Sequence, residues 1–218
     1  MIDVKDLKKS YLQNGRSVDV LKGITFSLAK GDTVSICGQS GSGKSTFLSL
    51  LAGLDQPTSG DVSINGSSIT LMTEQQLAQF RARSLGIVFQ HFHLMGHLTA
   101  LENVSLPLEI QKIPFALQRA KEALEQVGLG HRLTHLPAEL SGGECQRVAI
   151  ARAIVTKPEL LLADEPSGNL DQDTGLQIMD LLFDLVEKSH MTMILVTHNL
   201  DIARRCKRIL TLSKGALT

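Results

Sequence analysis

Aromatic residues are scarce in this chain: 4% in all, with one tyrosine and no tryptophan. Proteins that bind single-stranded nucleic acid stack bases on aromatic platforms, so the composition argues against that class. Net charge is lacking too, because 22 lysines and arginines balance 22 aspartates and glutamates. Broad electrostatic binding to nucleic acid depends on clustered positive charge and has no basis here. No run approaches the roughly 18 apolar residues of a membrane-spanning helix. Residues 1–6 lack the apolar stretch of a secretory signal. Cys37, Cys145 and Cys206 are odd in number and widely spaced, which fits free thiols in a reducing compartment. These absences predict a soluble, cytosolic chain.

What is present is ordinary globular composition, 43% hydrophobic and 20% charged over 218 residues. That length suits one large domain, or one domain with an inserted lobe. Residues 18–28 read as a strand, Lys30, Gly31 and Asp32 as a turn, and residues 33–37 as a short strand entering a glycine-rich loop. Phe47, Leu48, Leu50 and Leu51 then recur at helical spacing, with Gly53 as the stop. Residues 60–69 alternate around Asn65-Gly66, a hairpin signal. Thr73 and Gln76 form a capping-box pattern, and Pro114 is expected to open a helix through Leu117, Ala120, Leu124 and Val127 that Gly128 closes. Residues 160–163 and 193–196 are buried strands flanking a helix marked by Ile178, Leu181, Leu182, Leu185 and Val186. The pattern predicts an α/β fold: a parallel-sheet core at residues 1–90 and 157–218 with a β layer, and a helical lobe inserted at 91–156.

Gly38, Gln39, Ser40, Gly41, Ser42, Gly43, Lys44 and Ser45 fit the phosphate-loop pattern GxxxxGK[ST], with Thr46 beyond. The glycines let successive N–H groups face phosphate oxygens, and the following helix adds its positive N-terminal end. Lys44 reaches the β- and γ-phosphates, and the Ser45 hydroxyl suits magnesium. A chance glycine-rich turn would lack the strand before it and the helix after it. Asp164 closes a buried strand and is placed to hold magnesium through water, while Glu165 beside it can orient and deprotonate an attacking water. Two solvated acids would be the bland reading of that pair; the phosphate loop in the same chain decides against it.

The run Leu140, Ser141, Gly142, Gly143, Glu144, with Gln146 to Ala153 behind it, resembles the signature motif of ABC ATPases. Phosphate loop, signature and the acidic strand end stand in that family's order, and the resemblance spans essentially the whole chain. It implies a P-loop cassette with an antiparallel β layer and an inserted helical lobe. It further implies that Tyr11 stacks on adenine, that Gln90 senses magnesium and the membrane partner, that Asp171 lies in the D-loop, and that His198 is the switch histidine near the γ-phosphate. Magnesium would then be held by Ser45, Gln90 and Asp164. Ser141, Gly142 and Gly143 sit at an expected helix start suited to an anion. A second phosphate-binding helix end in one chain is best explained by a head-to-tail partner that sandwiches ATP.

His91, His93 and His97 lack acid or cysteine company, which weighs against a metal site. The resemblance sets Phe92, Leu94 and Met95 near the groove that receives a coupling helix; lobe core is the other reading. Two positions depart from the family pattern. Cys145 stands where arginine or glutamine is usual and, near a helix N-terminus, is expected to have a lowered pKa and to react with thiol reagents. Asn199 stands where aspartate is common, which leaves the bonding of the switch loop open. Residues 98–104 and 166–171 most resemble the lipoprotein-release and macrolide-export group. The implied assembly is an ATPase homodimer on integral membrane permease subunits at the cytoplasmic face of the inner membrane, touching the membrane only through the permease and binding no nucleic acid. A cell-division type ATPase that signals mechanically without cargo is the alternative.

Overall fold

A computed structural model describes residues 1–13 and 15–218, which form two compact units: residues 1–81 with 192–218, and residues 82–191. The first unit holds two sheets. In the antiparallel one, β1 (Ile2–Gln13) pairs with β2 (Arg16–Leu28), Ile2 opposite Leu28, and on its other side with β4 (Ser59–Ile64). β4 returns as β5 (Ser67–Ser68) through Asn65 and Gly66 at φ 52° and 78°. That is the turn the Asn-Gly pair predicts. Val4, Leu7, Leu21 and Ile24 fill the buried face of this layer.

The other sheet has the order β10-β9-β3-β8. β3 (Thr33–Cys37) lies parallel between β8 (Thr192–Val196) and β9 (Arg208–Ser213), and β10 (Ala216–Leu217) turns back on β9. β8 is buried at every position, as a strand covered on both faces must be. α1 (Lys44–Leu51) follows β3 and buries Phe47, whose ring meets Phe26 of β2 edge-on at 6.3 Å. Gly53, at φ 60°, ends the turn after α1. α2 (Glu74–Ser84) opens on the expected capping box: Gln76 N–H donates to the Thr73 hydroxyl, and the Gln76 carboxamide oxygen accepts from Thr73 N–H. α7 (Leu200–Ala203) follows β8.

In the second unit β6 (Leu85–Val88) and β7 (Leu160–Asp164) pair in parallel, Leu85 opposite Leu160 and Val88 opposite Ala163. Four helices accompany them: α3 (Ala100–Ile110), α4 (Ala116–Gln126), α5 (Gly142–Ile154) and α6 (Gln172–Lys188). The segment 91–156 contains α3, α4 and α5, whose Val104, Leu108, Leu124, Val148 and Ile150 are buried. α4 starts later than the sequence suggests. Pro114 lies outside it, because Phe115 adopts φ 60° and the first helical bond runs from Arg119 N–H to Phe115 O. Leu117 is consequently exposed, while Ala120, Leu124 and Val127 take the buried face. Gly128, at φ 80°, closes the helix as expected, with Leu129 N–H bonded back to Leu124 O.

Candidate nucleotide site

Strand register aligns the chemistry in each unit. Ile36 of β3 pairs with Val196 of β8, and Gly38 and His198 each follow two residues beyond that pair. Val88 of β6 pairs with Ala163 of β7, so two residues further on stand Gln90 and Glu165. All four lie beyond the carboxyl ends of parallel strands, where open α/β sheets bind ligands.

In the first unit the phosphate loop runs from β3 into α1. Gly43 is the N-cap at φ 102°, a conformation that side chains disfavour, and no side chain caps the helix. The N–H groups of the first turn are thereby kept for an anion. Lys44 is 7% exposed, and its ammonium donates to Gly38 O at 2.9 Å and Gln39 O at 3.0 Å, so it lies folded along the loop. The Ser45 side chain is on the surface, whereas the Ser42 hydroxyl is buried with no partner among the described residues.

Tyr11 on β1 is half exposed, and its hydroxyl donates to Asp55 Oδ2 at 2.7 Å. Lys9 ties the same carboxylate at 2.7 Å and sits 4.6 Å from the ring centre. The ring is therefore fixed with exposed surface to offer. Partial burial raises its pKa first, the Asp55 bond adds to this, and a Thr46 side-chain bond opposes it, so Tyr11 meets α1 beside the phosphate loop. His198 is exposed after β8. Asn199 settles the switch-loop question: it caps α7, its Oδ1 accepting from Asp201 N–H at 2.9 Å and Ile202 N–H at 3.2 Å, as an aspartate would.

In the second unit Asp164 ends β7 and Glu165 turns off the strand at φ 45°. A glutamate in the left-handed region costs of order 1–2 kcal/mol, and such strain gathers at functional sites. Gln90 Nε2 donates to Asn169 Oδ1 at 3.0 Å, and Asn169 Nδ2 donates to Gln90 O at 3.1 Å. Orienting the amide this way turns Gln90 Oε1 into its available acceptor. Gly168 permits the approach, since a Cβ there would lie 2.8 Å from Gln90 Nε2. Asp171 is the N-cap of α6, accepting from Thr174 N–H at 3.0 Å; that backbone bond holds its carboxyl below the usual range. The donors expected for magnesium, the Ser45 hydroxyl, the Asp164 carboxylate and Gln90 Oε1, are all oxygens, the chemistry a hard cation takes.

Ser141 and Glu144 open α5 as a reciprocal capping box. Ser141 Oγ accepts from Glu144 N–H at 3.2 Å, and Glu144 Oε2 accepts from Ser141 N–H at 2.8 Å. Glu144 Oε1 also accepts from Arg132 Nε at 2.9 Å; the Ser141 N–H is the main reason its pKa is depressed. With a lone pair engaged, the Ser141 hydroxyl keeps its proton to donate outward. Gly143 is packed against α6, where a Cβ would meet Thr174 Cγ2 at 2.6 Å.

Cys145 does not behave as its place near the helix start suggests. It is 6% exposed, its thiol faces Pro137 O at 3.5 Å, and burial pushes its pKa up, aided by the Glu144 charge. Burial outweighs the helix dipole here, and the expectation of a lowered pKa is overturned.

Two organising residues escaped the sequence reading. Arg152 of α5 donates to His93 O at 2.7 Å and Phe92 O at 2.9 Å, pinning the loop after Gln90. Asn103 of α3, 1% exposed, accepts from Met95 N–H and donates to Met95 O, Leu98 O and Thr99 O. Between these anchors Phe92 and Leu94 are partly exposed and Met95 is 45% exposed, so the three do not form lobe core. His93 instead packs edge-on to Phe89 at 5.1 Å.

The sequence profile of the ABC transporter family matches residues 21–168. The lipoprotein-releasing system ATP-binding protein LolD of Syntrophus aciditrophicus (strain SB) is 47% identical, the match covering 100% of this chain and 98% of that one. The ABC transporter ATP-binding protein YbbA of Escherichia coli (strain K12) is 49% identical, over 100% of this chain and 96% of that one. Among solved structures, the dimeric post-hydrolysis state of the ATP-binding cassette MJ0796 bound to ADP and Pi superposes with a TM-score of 0.92 at 40% identity, over 100% of this chain and 96% of that one.

Proposed function

The chain belongs to the ABC transporter family as an ATP-binding, ATP-hydrolysing subunit, and from that premise we propose that two copies close around two ATP molecules to drive a membrane permease that extracts or exports a hydrophobic cargo, a lipoprotein foremost. The observation that carries the chemistry is the strand register: Ile36 pairs with Val196 and Val88 with Ala163, so Gly38 and His198, like Gln90 and Glu165, each stand two residues past a paired position at the carboxyl ends of parallel strands. The cargo class rests on the names and full-length match of the lipoprotein-releasing relatives.

The roles follow from side-chain chemistry. Tyr11 stacks on the adenine, the N–H groups of residues 38–46 take the phosphate oxygens, and Lys44 moves from the loop carbonyls to the β- and γ-phosphates. Glu165 accepts a proton from the water that attacks the γ-phosphorus; the bond to the bridging oxygen breaks, leaving ADP and phosphate. Gln90 orients that water through its carboxamide, and His198 donates to a γ-phosphate oxygen. Ser45, Gln90 and Asp164 would hold magnesium, which would supply positive charge to offset the negative charge of the phosphates. Ser141, Gly142 and Gly143 of one copy complete the phosphate shell of the other's ATP, with Asp171 and Glu144 supporting that interface.

No helix among the described residues is long and apolar enough to cross a membrane. Attachment to the cytoplasmic face of the inner membrane would therefore run through the permease, with residues 92–95 as the surface on offer. Co-purification of the Glu165→Gln variant with ATP from detergent-solubilised membranes tests the proposal. A membrane protein with few spans and a large extracytoplasmic domain supports it. A soluble partner, or none, refutes the permease assignment.

A further inference from the structure

Gln146 lies in α5, is 0% exposed, and has no part in the roles given above. Its Nε2 donates to two carbonyls from distant stretches of chain, Phe89 O at 3.2 Å and Pro166 O at 2.7 Å. Phe89 directly precedes Gln90, and Pro166 directly follows Glu165. One amide thus ties together the two segments that carry the glutamine and the catalytic carboxylate. The Asn169 bonds to Gln90 tie the same segments a second time, further along the loop.

The other end of the amide is informative. Gln146 Oε1 is buried with no hydrogen-bond partner among the described residues. A buried acceptor without a partner destabilises a fold, and each one in a native structure calls for a reason. Methionine would fill nearly the same volume without burying that acceptor. The side chain is therefore kept for its two donated bonds rather than for packing. α5 is also the helix whose first turn is the Ser141 capping box, five residues before Gln146 on one rigid rod.

We propose that Gln146 is a positioning residue that couples the signature helix to the Gln90 and Glu165 segments of its own copy. Docking of Ser141 on the partner's ATP shifts α5, and the two bonds from Gln146 pass that shift to the Gln90 and Glu165 backbones. The transmission part of this inference rests on the two-copy reading above; the tie itself does not.

The test compares the full-length wild-type protein with Gln146→Met and Gln146→Asn. It measures ATP turnover per nucleotide-binding site, ATP affinity, and amide hydrogen exchange by mass spectrometry. Gln146→Met should lower kcat at least tenfold with ATP affinity within threefold of wild type. It should also speed exchange in peptides covering 89–95 and 165–171. Gln146→Asn, whose shorter arm reaches one carbonyl, should fall between and carries the test if the methionine variant does not fold. In a Gln90→Ala background, Gln146→Met should add less than threefold. Unchanged turnover per site, or faster exchange confined to α5, overturns the proposal. Absence of an ATP-dependent dimer in the wild type sinks the two-copy reading instead, and turnover with exchange still decides the tie.

Discussion

Asn169 holds Gln90 by two hydrogen bonds of opposite sense, one to the side chain at 3.0 Å and one to the backbone carbonyl at 3.1 Å. The arrangement fixes both the position of Gln90 and which end of its amide serves as acceptor. Asn169 sits between Glu165 and Asp171, so the loop that follows Glu165 also sets the glutamine. His91 Nδ1, 3.0 Å from Asn169 Nδ2, adds a third contact to the same amide.

Asn169→Ala should therefore slow turnover while leaving ATP binding alone. Two hydrogen bonds at roughly 1 kcal/mol each correspond to about a tenfold to thirtyfold loss in kcat. ATP affinity should stay within about twofold, because the side-chain bonds of Asn169 go to Gln90 and His91. Steady-state ATPase kinetics with an equilibrium binding measurement checks both.

Ser141→Ala removes the N-cap of α5 and the outward hydroxyl together. Loss of the cap should cost about 1 kcal/mol of stability. Glu144→Gln retains a capping-box partner at the same position and should cost less. Thermal melts separate the two effects from catalysis: Ser141→Ala is expected to lose ATPase activity far beyond its stability change, and equal losses would deny the serine a role at the partner's ATP.

The cysteines set an alkaline limit. Burial raises the Cys206 pKa from 9.0 to about 11, and burial also raises Cys37 and Cys145. A thiol with a raised folded pKa stabilises the fold fully below its unfolded value and loses that contribution as pH climbs toward the folded one. Stability should accordingly fall between about pH 9 and 11, by up to roughly 3 kcal/mol from Cys206. Cys206→Ala should flatten the fall in a denaturant series across that range. The same burial predicts that maleimide labels Cys145 slowly in the native protein at pH 8 and rapidly once it is unfolded; fast native labelling would contradict it.

The phosphate loop and the Asp164–Glu165 strand end were legible because their chemistry is written in contiguous residues. Helix caps at Thr73 and Ser141 were legible for the same reason. β1 was not, since Asp6 at φ 44° and three register shifts break the alternation a strand would show. Gln146, Arg152 and Asn103 were illegible for a different reason. Each binds backbone carbonyls, a chemistry common to every residue, and Gln146 and Arg152 reach carbonyls 57 to 60 positions away. Cys145 shows the limit of position as a guide: the helix start lies in the sequence, but the way the preceding turn folds the Pro137 and Leu140 carbonyls back over the thiol does not.

Closure of two copies around shared ATP sites, with Glu165 ending the cycle, is the core of the proposed mechanism. It is tested most directly by light scattering on Glu165→Gln with and without ATP. Removing the general base should reduce hydrolysis about 10²–10⁴-fold while sparing ATP binding. The 23.7 kDa chain should run as a monomer without nucleotide and at twice that mass with ATP. A variant that binds ATP and stays monomeric at saturating nucleotide would contradict it.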